Sequence, residues 1–248
     1  MMIDILFEDE YLIIVNKPSG MPSQATLDPA REHCFGVVRN ILASRVADAQ
    51  KSKIYVGLHH RLDALTSGVL LMTKAEVANA SIAAQFQNHT IQKTYCAICT
   101  AALDLPEMYR TPGESWVIDR PIGEIPGGRI QKFGVNGKKR KSAKTQVTCE
   151  SVFRLRDGIC GIYRCSPLTG RTHQIRVHLS SMGLSIIGDP LYGEPLLRSL
   201  RSMDPKRLCL HAETLTFEHP ISQGEMTVSA ERPQAFEALV KKIVKYTK

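Results

Sequence analysis

His60-Arg61-Leu62-Asp63-Ala64-Leu65-Thr66-Ser67-Gly68-Val69-Leu70-Leu71-Met72 is the most informative stretch of this 248-residue chain. Its first part carries a base, an acid and two hydroxyls, and its last five residues are apolar. Gly68 to Met72 reads as a strand, and so does Ile54 to Leu58 upstream, which makes His59 to Ser67 a polar loop between two strands. Functional groups are often mounted on loops anchored in this way. From position alone an ordinary surface turn is the favoured reading, with Asp63 capping it and Arg61 pairing with Asp63.

Outward from that loop, Ile3 to Phe7 and Tyr11 to Val15 read as short strands, followed by a break at Asn16-Lys17-Pro18-Ser19-Gly20. Phe35, Val38, Ile41, Leu42 and Val46 recur at helical spacing, which predicts an amphipathic helix over about 35–47. Ala75 to Asn88 reads as a helix and Gln92 to Thr100 as a strand. Further strands are expected at Thr145 to Phe153, Ile159 to Cys165, Leu208 to Phe217 and Met226 to Ser229. Arg171 to Met182 reads as a short helix, and a C-terminal helix starts near Pro233. Strands outnumber helices and do not alternate regularly with them. The expected class is therefore α+β, with a mixed, mainly antiparallel central sheet and flanking helices and loops. No Pro/Gly/Ser linker divides the sequence, so one domain over 1–248 is expected. It carries a basic, Gly-rich insertion at about 123–144, read as a solvated loop or hairpin rather than a core element.

Composition narrows the function. Hydrophobic residues make up 43% of the chain, too many for a disordered protein. No apolar run approaches the ~20 residues of a membrane span. The acidic start MMIDILFEDE is unlike a signal peptide, so no membrane partner and a cytoplasmic location are expected. The net charge of +8 favours an anionic partner, of which nucleic acid is the commonest.

The seven cysteines are odd in number in a long chain, which argues for reduced thiols. Cys96 and Cys99 form a C-x-x-C, and Cys160 and Cys165 a C-x4-C, which raises a zinc site. The apolar context KTYCAICT lacks the Gly that a zinc knuckle needs, and no metal is expected. Dinucleotide, phosphate-loop, nucleophile-elbow, H-E-x-x-H and zinc-deaminase signatures are all missing, so no cofactor is expected.

Several words then occur in one order: VNKPSGM at 15–21, HRLDALTSGVLLM at 60–72, QKTYCAI at 92–98, LTGRTHQIRVHL at 168–179, GDPLYG at 188–193 and RLCLHA at 207–212. Together they resemble the RluA family of RNA pseudouridine synthases, over about Ile3 to Ser229. The resemblance implies the family's catalytic-domain fold and an isomerase that converts uridine to pseudouridine within RNA without cofactor or metal. Asp63 matches the family's catalytic aspartate. Tyr95 matches the tyrosine that stacks on the target base, and Arg176 the arginine that pairs with the catalytic carboxylate. Ile175 and Leu210 fall in words whose apolar residues line the pocket. Arg61 matches an arginine that in some members fills the gap left by the extruded nucleotide. Without these words, Tyr95 reads as a core aromatic and Arg176 as a surface helix residue. His173 and His178, five apart, do not share a helix face, and read as hydrogen-bonding residues that hold the motif or touch RNA.

The reaction breaks the N1–C1′ bond, rotates the base and rejoins it through C5. One carboxylate can act at the sugar, as nucleophile at C1′ or as base at C2′, and the sequence leaves both open. Either role needs an ionised Asp63. Burial under RNA opposes that ionisation and a guanidinium favours it. Flipping the base out costs a few kcal/mol, and stacking on Tyr95 returns ~1–3 kcal/mol.

Lys138, Lys139, Arg140 and Lys141 are expected to contact RNA phosphates. The partner is then tRNA, ribosomal RNA or both, and the protein a monomer. Many family members carry an N-terminal S4-type domain. Here the first strand is expected at about Ile3, so substrate binding is assigned to the catalytic domain, with Lys241, Lys242, Lys245 and Lys248 as further contacts. A non-catalytic RNA-binding protein remains the rival reading. A glycoside hydrolase would need two flanking carboxylates, and the motifs supply one.

Overall fold

The computed structural model describes residues 3–51, 54–127 and 131–247. In chain order its elements are β1 (Asp4–Glu8), β2 (Leu12–Lys17), α1 (Cys34–Ala43), α2 (Asp48–Lys51), β3 (Gly57–Leu58), β4 (Ser67–Thr73), α3 (Asn79–Gln87) and β5 (Gln92–Ala101). There follow β6 (Ser115–Asp119), β7 (Ile122–Ile125), β8 (Lys132–Gly134), β9 (Lys138–Lys141), β10 (Lys144–Arg154) and β11 (Ile159–Pro167). The last are α4 (Gln174–Ser180), β12 (Ser185–Ile186), β13 (Leu210–Glu218), β14 (Glu225–Ser229) and α5 (Gln234–Thr247). The class is α+β with mainly antiparallel strands, as the pattern of short strands and few helices predicts. The chain forms two compact units, Met1–Lys93 with Ala212–Glu231 and Thr94–His211 with Arg232–Lys248.

In the first unit the strands run in the order β1-β2-β4-β13, with β3 added on β4 and β14 on β13. β2 and β4 pair antiparallel, Ile14 opposite Leu71 and Val15 opposite Leu70. Every residue of β4 is buried, which explains why its sequence is a continuous apolar run instead of an alternation. Ile82 of α3 is fully buried against Leu12, Ile14, Val69, Leu71 and Leu215. Each such side chain contributes ~1.5–3 kcal/mol through removal from water. Helix α1 ends at Ala43, four residues short of expectation, where Ser44 turns its hydroxyl back onto the Ile41 carbonyl at 2.7 Å. The apolar run Ile54 to Leu58 is a strand only at Gly57 and Leu58, because β3 meets β4 only at Thr73 and Met72.

The second unit orders its strands β5-β11-β10-β6, with β12 on β5. Ile98 lies opposite Ile162, and Cys165 opposite Val147. In β6 the residues alternate, Trp116 and Ile118 in, Ser115, Val117 and Asp119 out, the pattern of a strand with one solvated face. Helix α5 buries Phe236, Leu239 and Ile243 on one stripe and leaves Lys241, Lys242 and Lys245 exposed. Lys248 lies outside the described residues.

The 123–144 stretch corrects one expectation in part. Beginning at Ile122, it forms a separate three-stranded sheet, β8-β7-β9. Ile122 and Ala143 are buried with Val177 of α4, and Phe133, Val135 and Tyr192 pack on them. The stretch is therefore more than a solvated hairpin: it packs a small apolar cluster against Val177 of α4 and Tyr192. Its Gly128, Arg129 and Ile130 lie outside the described residues.

Candidate active-site loop and its partners

The loop of Asp63 is fastened almost residue by residue, and the fasteners come from 15–23. Lys17 is completely buried, and its Nζ donates to the carbonyls of Pro18 (2.9 Å), Met21 (2.7 Å) and Ala64 (3.1 Å). A buried lysine is rare unless its donors are satisfied, and these carbonyls do that. The Ser19 hydroxyl donates to the Leu65 carbonyl at 2.6 Å, and the Gly20 amide to the Ala64 carbonyl at 2.8 Å. Ser23 Oγ donates to the Leu62 carbonyl at 2.8 Å and accepts from the Leu62 amide at 3.0 Å. Within the loop, the Thr66 amide closes a turn onto the Asp63 carbonyl at 3.1 Å. Asp63 is thus bracketed by pinned neighbours on both sides, and its side chain is half-buried.

The two ends of the loop are held by different means. His60 Nε2 accepts from the Leu71 amide at 3.0 Å, and its ring stacks on Phe86 with centroids 4.5 Å apart. Burial, then the charge of Lys93 and that of His59, pull the His60 pKa down to about 3, so the ring is neutral and can accept. His59 Nε2 reaches Thr73 Oγ1 at 3.1 Å and Asn79 Oδ1 at 3.2 Å. At the other end Gly68 has φ +116°, and a Cβ there would lie 2.1 Å from the Ala212 carbonyl oxygen. Only glycine fits where the chain enters β4.

The second unit holds Tyr95, Ile175, Arg176 and Leu210, along with the basic run. Tyr95 is half-buried on β5, and Leu210, at the start of β13, is buried. On α4, Ile175 is 7% and Arg176 3% exposed, so Arg176 is not a surface helix residue. Asp189 explains how a guanidinium is buried there: Nε and Nη2 reach its two carboxylate oxygens at 2.8 and 2.7 Å, a bidentate fork. Burial alone would raise the Asp189 carboxyl. The hydrogen bonds and charge of Arg176, with the amides of Leu191 and Tyr192, hold it below the usual range. The Tyr192 ring lies 5.0 Å from the guanidinium carbon.

His173 and His178 play different parts. His178 is fully buried, with Nε2 2.9 Å from the Arg120 carbonyl and Nδ1 2.8 Å from Thr145 Oγ1. A carbonyl only accepts, so Nε2 carries the proton and Nδ1 accepts from the threonine. That places His178 among the residues that hold the motif, with no surface for RNA. His173 reaches Tyr192 Oη at 2.8 Å through Nδ1.

Lys138, Lys139, Arg140 and Lys141 make up the whole of β9, and all four are exposed. Arg61 is exposed as well, in the same loop as Asp63. Among the described residues no group of three or more His, Cys, Asp or Glu is placed to hold a metal. All seven cysteines are buried thiols, and burial pushes Cys160 up to about 12, which makes it a poor ligand and nucleophile. No described helix is long and apolar enough to cross a membrane.

Lys17, Ser19, Ser23, Asp189 and Tyr192 have roles that residue-level reading of the sequence does not expose. The signal for Lys17 is a cation closing an apolar strand directly before Pro-Ser-Gly. Asp189 has no such signal, since its partner lies 13 residues upstream across a turn.

Comparison with known proteins bears on the family and the fold. A sequence model of the family described as RNA pseudouridylate synthase matches residues 11–181. Ribosomal large subunit pseudouridine synthase D of Zymomonas mobilis is 34% identical over 98% of this chain and 73% of its own length. An uncharacterized RNA pseudouridine synthase of Bacillus subtilis, YlyB, is 31% identical over 99% of this chain and 74% of its own. Among solved structures, human RNA pseudouridylate synthase domain containing 4 superposes with a TM-score of 0.72 at 23% identity, covering 97% of this chain and 93% of that one. At that identity the likeness concerns the fold.

Proposed function

The chain belongs to the RNA pseudouridylate synthase family, and from that premise we propose that Asp63 is its reacting carboxylate and large-subunit ribosomal RNA its substrate. The protein is an isomerase that converts uridine to pseudouridine in RNA. The observation that carries the assignment of Asp63 is its setting: a half-buried carboxylate on a loop whose backbone is pinned by Lys17, Ser19, Ser23 and His60. Such fixing is what a group needs if it must meet one sugar carbon in one geometry.

Asp63 acts at the sugar while the uracil turns from its N1 to its C5 linkage. Attack on C1′ and removal of the C2′ proton both require the ionised form. Tyr95 stacks on the extruded base. Arg176 serves the carboxylate as a counter-charge, its fork oriented by Asp189, and Ile175 and Leu210 give the base an apolar surround. Arg61, exposed beside Asp63, occupies the space from which the nucleotide is flipped. Lys138, Lys139, Arg140 and Lys141 contact phosphates. The buried thiols suit a reducing compartment, and we place the reaction in the cytoplasm, with a monomer as the working form.

The name of the Zymomonas relative, a ribosomal large subunit pseudouridine synthase, supports that substrate. Mapping pseudouridines in total RNA before and after deletion of the gene tests it. Loss of one or more sites from large-subunit ribosomal RNA is expected. Loss confined to tRNA would move the substrate to tRNA, and an unchanged map would overturn the reading.

A further inference from the structure

The basic sheet and Arg176 are joined through one side chain. Tyr192 Oη accepts from the Phe133 amide of β8 at 3.0 Å and meets His173 Nδ1 at 2.8 Å. Its ring lies 5.0 Å from the Arg176 guanidinium carbon and 5.6 Å from Lys132 Nζ, at the start of β8. Its backbone is held too: the amide donates to Asp189 Oδ1 at 3.1 Å, and the carbonyl accepts from Ser180 Oγ at 2.9 Å. Arg176 is thereby restrained twice, in its plane by the Asp189 fork and across its face by the Tyr192 ring.

Two features set this apart from ordinary packing. His173, which holds Tyr192 Oη, has φ +57° directly before α4. That conformation is strained for a residue with a Cβ, and surroundings that over-determine a conformation are what preserve it. In β9, Lys139 has φ +49°, and the pairing with β7 slips between Ile122 and Glu124. This bulge stands in the middle of the basic run, where an extra residue re-aims side chains.

We propose that Tyr192 is a positioning residue that ties the β7-β8-β9 sheet to Arg176, so that RNA phosphates on the basic strand raise the rate of isomerisation as well as the affinity for RNA. This rests on the reading that β9 contacts RNA and that Arg176 serves Asp63. Phosphates drawn to Lys132 and β9 load a sheet whose β8 amide holds Tyr192 Oη. Settling that sheet settles the ring against the guanidinium.

The test compares four proteins on a large-subunit ribosomal RNA transcript: the native chain, the fourfold variant with Lys138, Lys139, Arg140 and Lys141 changed to Ala, Tyr192→Phe, and the combination. Phe keeps the ring on Arg176 and removes both Oη bonds. Single-turnover rate at saturating protein, RNA Kd and thermal midpoint are read for each. The fourfold variant should lose about tenfold in both affinity and saturated rate, and Tyr192→Phe about tenfold in rate with Kd within about twofold. The combination should lose affinity but no further rate, the mark of a shared path. Rate losses that multiply to about a hundredfold would overturn the proposal. So would a fourfold variant, or Tyr192→Phe, at the native saturated rate. A Tyr192→Phe protein that loses midpoint, affinity and rate together would also overturn it, in favour of a purely structural role. An inactive native protein, or an active Asp63→Asn, would instead break the underlying reading of the site.

Discussion

The Asp63 loop and strand β9 are both short, polar and flanked by strands, yet they are built in opposite ways. The loop around Asp63 has its peptide groups taken up by Lys17, Ser19 and Ser23, of which Lys17 and Ser23 are buried, and His60 fastens its start to the Leu71 amide of β4. β9 is held by its pairing with β7 and turns all four side chains to solvent. The difference teaches that polarity in a sequence does not say whether a segment is spent on holding itself in place or kept for a partner. Substitutions in the first region should cost folding, and in the second, binding.

Gly68→Ala should break the clamped region most severely. The Cβ would meet the Ala212 carbonyl oxygen at 2.1 Å on a backbone at φ +116°. A loss of at least about 3 kcal/mol in denaturant unfolding is expected from strain and overlap together. A loss below 1 kcal/mol would mean that the loop and β13 give way easily.

Lys17→Met comes next. It keeps the buried stem, takes the ammonium donor from the Pro18 and Met21 carbonyls and leaves the Ala64 carbonyl with the Gly20 amide alone, at a cost of about 2 kcal/mol or more. The saturated rate should fall with it, because the Ala64 anchor adjoins Asp63. Native stability with native rate would show that Lys17 does not hold the loop.

His60→Gln sharpens the comparison through pH. The folded pKa of His60, about 3, lies below its unfolded value of ~6.5. The unfolded chain therefore binds a proton that the native chain refuses. Stability contributed by the neutral ring is complete above pH ~6.5 and is lost as pH falls towards 3, by up to about 1.4 kcal/mol per unit. Gln can accept from the Leu71 amide without titrating, so its pH–stability curve should be flatter by one proton between pH 6 and 4. Parallel curves would remove His60 from the acid response.

Replacing the four basic residues of β9 by Ala should change stability least, within about 0.5 kcal/mol. RNA binding should weaken, and the slope of log affinity against log salt should fall by up to about 3. An unchanged salt slope would contradict phosphate contact at β9.

Much of the fold was legible because β2, β4 and β5 are apolar runs bounded by turn residues, and α5 carries a clear 3.6-residue stripe. β9 was not, because a strand of four basic residues has no apolar alternation and is defined only by its backbone pairing. Ile54 to Val56 misled in the opposite sense: the run is apolar but lacks a strand to pair with beyond Gly57. In the candidate site, Asp63 and Arg176 could be picked out by the words around them. Their supports could not. A fully buried lysine contradicts the composition rule for lysine, and the Arg176–Asp189 fork joins residues that only the turn after β12 brings together.

The central claim is that Asp63 carries the chemistry and the rest of the loop carries Asp63. The most direct measurement is pseudouridine formation and RNA affinity of Asp63→Asn beside the native protein on the same transcript. Native activity should fall by at least about a thousandfold in the variant, equivalent to about 4 kcal/mol of barrier, with RNA Kd within a few-fold of native. An Asp63→Asn protein that still forms pseudouridine at a native-like rate would contradict the account.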